Sequence, residues 1–345
     1  MMKKILILLA FAICLISCQN QDIDFPDFDY TTGYFPYQYP IRTIILGDYI
    51  YDNSNDNNHE FVISVAMGGV YENTQQRIFK FVVDEELCTD AYFADGSPIR
   101  PLPSSYYQLS DNQKIIIEPG NVNGGIKVKL TDEFFDNPLS IKNTFVVPLR
   151  LTGVINIDTL LQGKANSAAA DLRIAGEWAA APKHFTMFGV KFINPYHGNF
   201  LYFGKSSLSE NNTVVEQKTY KEKFIETNTV VKLTTTARSQ VSIRLPFQSS
   251  VLNGFYDMLL NFESNNFDAA GGVTCTVAAP EGSIYTITGS GKYMQKTEEF
   301  GDKKRDAIYL SYTVNSDTHS YSATDTLIMR DRAVVMETYT PTIIK

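Results

Sequence analysis

The feature that most constrains this chain is a two-residue alternation of apolar and polar side chains, repeated in short runs through most of its length. Successive side chains on a strand point to opposite faces, whereas a helix needs a period near 3.6. In the run Phe145 to Leu151, the residues Phe145, Val147, Leu149 and Leu151 share one face. In Gly125 to Leu130, Ile126, Val128 and Leu130 face one way and Lys127 and Lys129 the other, as in a strand with one wet face. Arg42 to Ile50, Phe61 to Ala66, Ile78 to Val83 and Lys114 to Glu118 read the same way. Turn residues separate them: Asp52 to Asn58, Gly68-Gly69, Asp95 to Pro98, and Pro119-Gly120 through Gly125. About seven strands without a convincing amphipathic helix predict an Ig-like β-sandwich over 31–162.

Gly163 to Pro182 breaks the alternation. It holds Ala168-Ala169-Ala170, Ala179-Ala180-Ala181 and the single tryptophan, Trp178, and reads as an interdomain connector over 163–182. Strands resume at Phe185 and recur to Met329, with a last candidate at Ala333 to Tyr339. Nine or ten short-linked strands over 183–345 predict an antiparallel β-domain, a lipocalin-like barrel in preference to a two-sheet sandwich. The whole chain is thus expected to be all-β.

The first residues are of another kind. Lys3 and Lys4 precede an unbroken apolar run of twelve residues, Ile5 to Ile16. A membrane span needs ~20 apolar residues, so this run suits the core of a secretory signal. It ends in Leu15-Ile16-Ser17-Cys18, which resembles a bacterial lipobox, with 1–17 removed and Cys18 carrying the lipid. The alternative is an ordinary signal peptide with an incidental cysteine. Acyl chains contribute ~0.8 kcal/mol per buried CH₂, so a lipidated Cys18 would hold the chain on a membrane without a span. Residues 18–30 form an acidic tether containing Asp22, Asp24, Asp27 and Asp29, similar to the surface-export signal of Bacteroidetes lipoproteins. The expected location is the outer membrane, facing the cell exterior. Cys88 and Cys275 lie far apart, so neither a disulfide framework nor a zinc site is expected.

A formal net charge of −8 argues against nucleic acid as a partner, since such binders need a basic face. Sites for chemistry are sparse. Asp24-x-x-Asp27-x-Asp29 imitates part of a family-18 glycosidase motif, but the position of its acid is Thr31, which has no carboxyl to protonate a leaving group. His59, His184, His197 and His319 show no metal-ligand spacing, and no Gly-x-Ser-x-Gly elbow occurs. Asp52-x-Ser54-x-Asp56-x-Asn58 has alternating oxygens like a calcium loop but lacks its bend glycine and bidentate glutamate; a polar turn is the preferred reading. No cofactor, no metal and no enzymatic activity are expected.

Three stretches carry a family resemblance: Tyr39-Pro40-Ile41-Arg42-Thr43, Ile157 to Lys164, and Lys183 to Phe200 with its Asn194-Pro195-Tyr196-His197-Gly198 core. Together they resemble two-domain Bacteroidetes surface lipoproteins of polysaccharide-utilisation systems. There an N-terminal Ig-like domain of unknown function, also found ahead of family-18 endoglycosidases, precedes an uncharacterised β-domain. The resemblance implies glycan capture at the cell surface. The alternative is a structural module that positions an importer or a glycosidase, and a glycan hydrolase is a third reading. Sugar binding needs flat apolar faces, and 20 tyrosines supply candidates. Tyr49 and Tyr51 flank the Asn-rich turn, Tyr196 and Tyr202 flank His197-Gly198-Asn199, and Trp178 sits in the connector. Each tyrosine also fits a cross-strand aromatic pair, and Trp178 also fits a plug between domains. The acidic charge is no obstacle to a neutral sugar.

Overall fold

The computed structural model describes residues 27–344; the leader, the Cys18 signal and the first part of the acidic tether lie outside the described residues. The described chain is strand upon strand, interrupted by two short α-helices, Ser54–Asn57 and Asp132–Asp136, and by 3₁₀ turns.

Eight antiparallel strands close into a barrel: Gly198–Glu210, Thr229–Ala237, Gln240–Pro246, Phe255–Phe262, Val273–Ala278, Thr286–Phe300, Lys303–Asn315 and His319–Asp331. Each pairs with the next, and the last returns to the first through Phe200↔Met329 and its neighbours. The preferred barrel is therefore present. The alternation sets its inside: along Phe255–Phe262 the buried residues are Tyr256, Met258, Leu260 and Phe262. An eight-stranded barrel has room for little but side chains, and large aromatics fill this one. Tyr202, Tyr256, Tyr293 and Tyr321 are each at most 2% exposed. The sequence did not show Thr213–Tyr220, which extends the wall beside Gly204–Glu210. Its exposed valines and polar residues bury too little to read as a core strand.

The other half is a two-sheet sandwich around Ile63, Phe79, Ile126, Val147 and Leu149. One sheet runs Thr159–Leu160, Thr32–Tyr34, Glu60–Gly68, Asn123–Leu130, Tyr107–Leu109. The other runs Glu337–Thr338, Pro40–Ile45, Phe185–Ile193, Phe145–Ile155, Arg77–Val83, Lys114–Ile117. Pro148 is tolerated inside Phe145–Ile155 because pairing with Arg77–Val83 begins only at Leu149, so its missing N–H falls past the end of that ladder.

This order corrects the division read from the sequence. Phe185–Ile193 is not the first strand of the second domain. It lies at the centre of the sandwich, antiparallel to Phe145–Ile155 and parallel to Pro40–Ile45. The C-terminal segment also returns: Glu337–Thr338 pairs with Pro40–Ile41, and Thr342–Ile343 with Ala91–Tyr92. The barrel is thus a continuous insertion between Ile193 and the returning segment. Residues 163–182 do not link the two bodies. They form a flap on the sandwich in which Lys164–Ala165 pairs with Trp178–Ala180, and Arg173 donates to the carbonyls of Leu87 and Thr89. Periodicity identifies a strand but not its partner, which is why these assignments escaped the sequence.

Candidate functional site

Where the chain leaves the sandwich it enters a joint made by Asn194-Pro195-Tyr196-His197-Gly198. Asn194 is fully buried and ties the barrel hairpin, its amide donating to the carbonyls of Ala237 and Gln240. His197 Nδ1 accepts from Thr235 N–H at 3.1 Å, and burial, helped by Arg332, pushes the imidazole down to about 3, so it stays neutral. Gly198 has a φ of 152°, and a Cβ there would lie 2.4 Å from the Asp331 carbonyl oxygen, so only glycine fits. Arg332, 4% exposed, closes the joint. Its guanidinium donates to the carbonyls of His197 (2.8 Å), Asp48 (2.7 Å), Leu46 (2.9 Å) and Asn194 (2.7 Å), binding both bodies through one side chain. No carboxylate appears among these hydrogen bonds, and burial lowers its pKa to about 10. Outside, Arg238 of the barrel bonds Asp132 and Asp136 of the sandwich at 2.6 and 2.9 Å.

Above this joint lies a cleft of about 700 Å³, within the size range of small-ligand sites. The sandwich supplies Asp48, Tyr49 and Ile50. The barrel supplies Asn199, Lys232, the hairpin residues Lys303 to Asp306, and Met329 to Asp331, while the return segment to Val335 completes the wall. Tyr49 meets Tyr51 edge-on, with ring centres 5.5 Å apart, and Tyr51 is 69% exposed at the rim. Asn199 Nδ2 donates to Asp331 Oδ1 at 2.7 Å, and Lys296 Nζ lies 3.7 Å from Asp48. Aromatic faces, an amide and charges thus converge on one opening.

Of the residues singled out from the sequence, Tyr49 lines this cleft and Tyr51 stands beside it. The others are elsewhere, and their placement corrects that reading. Tyr196 is 0% exposed; its ring stacks on Phe262 at 3.5 Å and its hydroxyl donates to the Ser264 carbonyl, so it is a packing residue. Tyr202 is buried in the barrel interior, 5.3 Å from Tyr220. Trp178 lies in the flap, where Nε1 donates to the Asp171 carbonyl at 2.7 Å, away from the barrel joint. Asn199, Lys232, Lys303 and Arg330 were missed. The run Lys303-Lys304-Arg305 beside the Gly301-Asp302 turn was the one visible signal for an exposed basic hairpin.

The remaining titratable groups are built into structure. Asp56, in the calcium-like stretch, is 1% exposed and holds Arg42 at 2.5 Å and Ile45 N–H at 2.9 Å. Asp325 lies inside the barrel, where burial lifts its pKa to about 6. Tyr312 donates to it at 2.6 Å, Tyr220 also donates to it, and Gly204 leaves it room. Among the described residues no group of three or more His, Cys, Asp or Glu is arranged to hold a metal ion.

A Bacteroides ovatus protein of unknown function, known from its crystal structure, is 36% identical over 92% of this chain and 100% of its own, with a TM-score of 0.84. The chain belongs to the same family as that protein. Two family models match it: one described as an N-terminal domain covers residues 28–158, part of the sandwich, and a domain of unknown function, DUF5627, covers residues 195–333, the barrel. An auxiliary nutrient binding protein from Bacteroides thetaiotaomicron is 10% identical over 86% of this chain and 95% of its own, with a TM-score of 0.37, too low to carry an argument. No curated protein matches the chain.

Proposed function

We propose that this family member is a surface-anchored lipoprotein that binds glycan in the cleft between sandwich and barrel without turning it over. The observation that carries this reading is the convergence of Tyr49, Asn199 and charged side chains on one opening at a rigid joint. Aromatic rings stack on the C–H faces of sugars, and amides and charges hold hydroxyls. The buried Arg332 keeps both walls of the opening in fixed relation, which reduces the ordering cost of binding. The lipobox-like Cys18 and the acidic tether support attachment to the outer membrane with the cleft facing outward. The test is titration calorimetry against a broad glycan panel. A binder should lose roughly tenfold in affinity on Tyr49→Ala or Tyr51→Ala, with reducing ends unchanged in the mixture. Failure of every glycan to bind sinks the reading. For the anchor, Cys18→Ala should shift the protein from the detergent to the aqueous fraction; continued membrane retention would place the anchor elsewhere.

One observation favours a second reading, a module that positions an importer or a glycosidase. Val335 and Met336 on the return segment are 70% and 77% exposed, near Ile50 at 68%. Exposed apolar groups of this kind suit a protein partner. Met336→Asp, outside the cleft wall, should sharply reduce co-purification with such a partner while leaving glycan affinity intact.

A further inference from the structure

We propose that the ligand of the junction cleft is an anionic glycan, one bearing uronate or sulfate groups. This rests on the glycan reading of the same cleft and narrows it. The chain as a whole is acidic, with a formal net charge of −8. Its cleft is the reverse. Lys232, Lys303, Lys304, Arg305 and Arg330 gather along the barrel wall.

The carboxylates lining the same cleft, Asp48, Asp306 and Asp331, are fewer than these cations and offset only part of the charge. Asp48 faces Lys296 at 3.7 Å. Asp331 accepts from Asn199 Nδ2 at 2.7 Å and from Ala333 N–H at 2.9 Å. Asp306 is buried, holding Tyr293 at 2.5 Å and Lys296 N–H at 3.0 Å. Of the cations, Lys304 pairs with Glu299 at 3.1 Å, Arg330 lies 3.9 Å from Asp331, and Arg305 is held by the carbonyls of Phe300 and Arg330. Lys232 and Lys303 are exposed and enter no ion pair among the described residues.

A second, independent observation lies beneath the cleft floor. The Arg332 guanidinium is buried against four backbone carbonyls. Carbonyl dipoles satisfy its hydrogen bonds without carrying net charge, and Asp306 and Asp48 oppose its field from a distance without a direct bond to it. A cation screened by protein instead of water projects its field farther into the opening above it. A neutral sugar would gain hydrogen bonds here but no attraction of net charge. A lone inorganic anion would leave most of a cleft of about 700 Å³ unfilled and would not use the Tyr49 face. A sugar chain carrying regularly spaced carboxylates or sulfates uses both the ring and the cations.

The experiment compares matched pairs by calorimetry on the intact mature protein: oligogalacturonate and oligoalginate against their methyl esters, and chondroitin sulfate oligosaccharide against its desulfated form. At least one acidic member should bind roughly tenfold or more tighter than its neutral partner, and that margin should shrink when sodium chloride is raised from about 50 to about 300 mM. Lys232→Gln with Lys303→Gln should erase most of the margin and leave the melting temperature unchanged, since both side chains are exposed. Tyr49→Ala should weaken acidic and neutral members alike. If neutral sugars bind as well as acidic ones, or the margin survives the double substitution, the anionic assignment falls while the glycan reading stands. If no member of the panel and no neutral glycan binds, both fall together.

Discussion

The two halves are built from the same alternating pattern, yet they are assembled differently. In the barrel, every strand but the closing pair bonds to a neighbour close by in sequence, and one long-range pairing, Gly198–Glu210 with His319–Asp331, finishes it. The sandwich draws on distant segments: Thr32–Tyr34 lies parallel to Thr159–Leu160, and Pro40–Ile45 takes Phe185–Ile193 on one side and Glu337–Thr338 on the other. Closure hides the barrel's edges, whereas the sandwich needs the chain's last residues to cover one of its own. The barrel is therefore self-sufficient in sequence, and the sandwich is completed by residues that follow the barrel in the chain. Arg332, at the point where the chain turns back, registers one body on the other.

The sharpest way to break this comparison is Arg332→Met. Four carbonyls would lose their donor inside the joint. Each buried acceptor left without its donor costs about 1–3 kcal/mol. Calorimetry should then resolve two thermal transitions where the parent shows one; a single unshifted transition would show that the bodies are coupled elsewhere.

Next is Tyr339→Ala on the return segment. Its ring lies 5.0 Å from Phe93 and 5.6 Å from Tyr39, and its hydroxyl donates to the Met187 carbonyl at 2.8 Å. A loss of about 1–3 kcal/mol is expected, since a half-buried ring packed on two aromatics is removed. Hydrogen exchange should quicken in the sandwich strands and not in the barrel. Equal loosening of both would mean that the return segment supports the whole molecule.

The joint and the barrel interior should also respond oppositely to acid. His197 binds a proton near pH 3 when folded and near 6.5 when unfolded. The unfolded state thus holds more protons between those values, and stability is lost as pH falls through that window. The loss from pH 7 to pH 5 is about 2 kcal/mol, read from urea midpoints, and His197→Asn should remove it. Asp325 behaves in reverse. Its carboxyl is raised from 3.8 to about 6, so the folded state holds the extra proton and stability falls as pH rises through that interval. In a His197→Asn background, lowering pH from 7 to 5 should therefore yield a gain of roughly 1 kcal/mol from this group, absent in the further variant Asp325→Asn. Identical slopes with and without Asp325 would remove it from the account.

The smallest effect is expected from proteolysis. A nick between Gly163 and Pro182 should leave the fragments eluting together under native conditions, because Phe185–Ile193 remains hydrogen-bonded on both sides within the sandwich. Separation into two compact halves would restore the connector reading of that stretch.

Much of the strand content was legible because the period is strong: the runs Phe145 to Leu151 and Gly125 to Leu130 lie within the observed strands Phe145–Ile155 and Asn123–Leu130. The three stretches that carry the family resemblance were legible too, but their work is structural. Asn194 to Gly198 forms the joint, Asp158 accepts from Thr31 N–H and its hydroxyl at 2.7 Å, and Arg42 reaches Asp56. The cleft was not legible in the same way. Asp48, Asn199, Lys232, Lys303 and Arg330 come from separate strands and loops, and no short motif joins them.

By itself the sequence determined the all-β class and the inward and outward face of each strong strand, since alternation is a local property that each strand carries independently. The tertiary structure alone decided which body owns Phe185–Ile193, that Tyr196 and Tyr202 are walled in while Tyr49 is open, and that a cationic cleft forms on an acidic chain. Those outcomes depend on pairings between residues far apart in the chain, and side-chain periodicity holds no information about which distant strand will supply the partner.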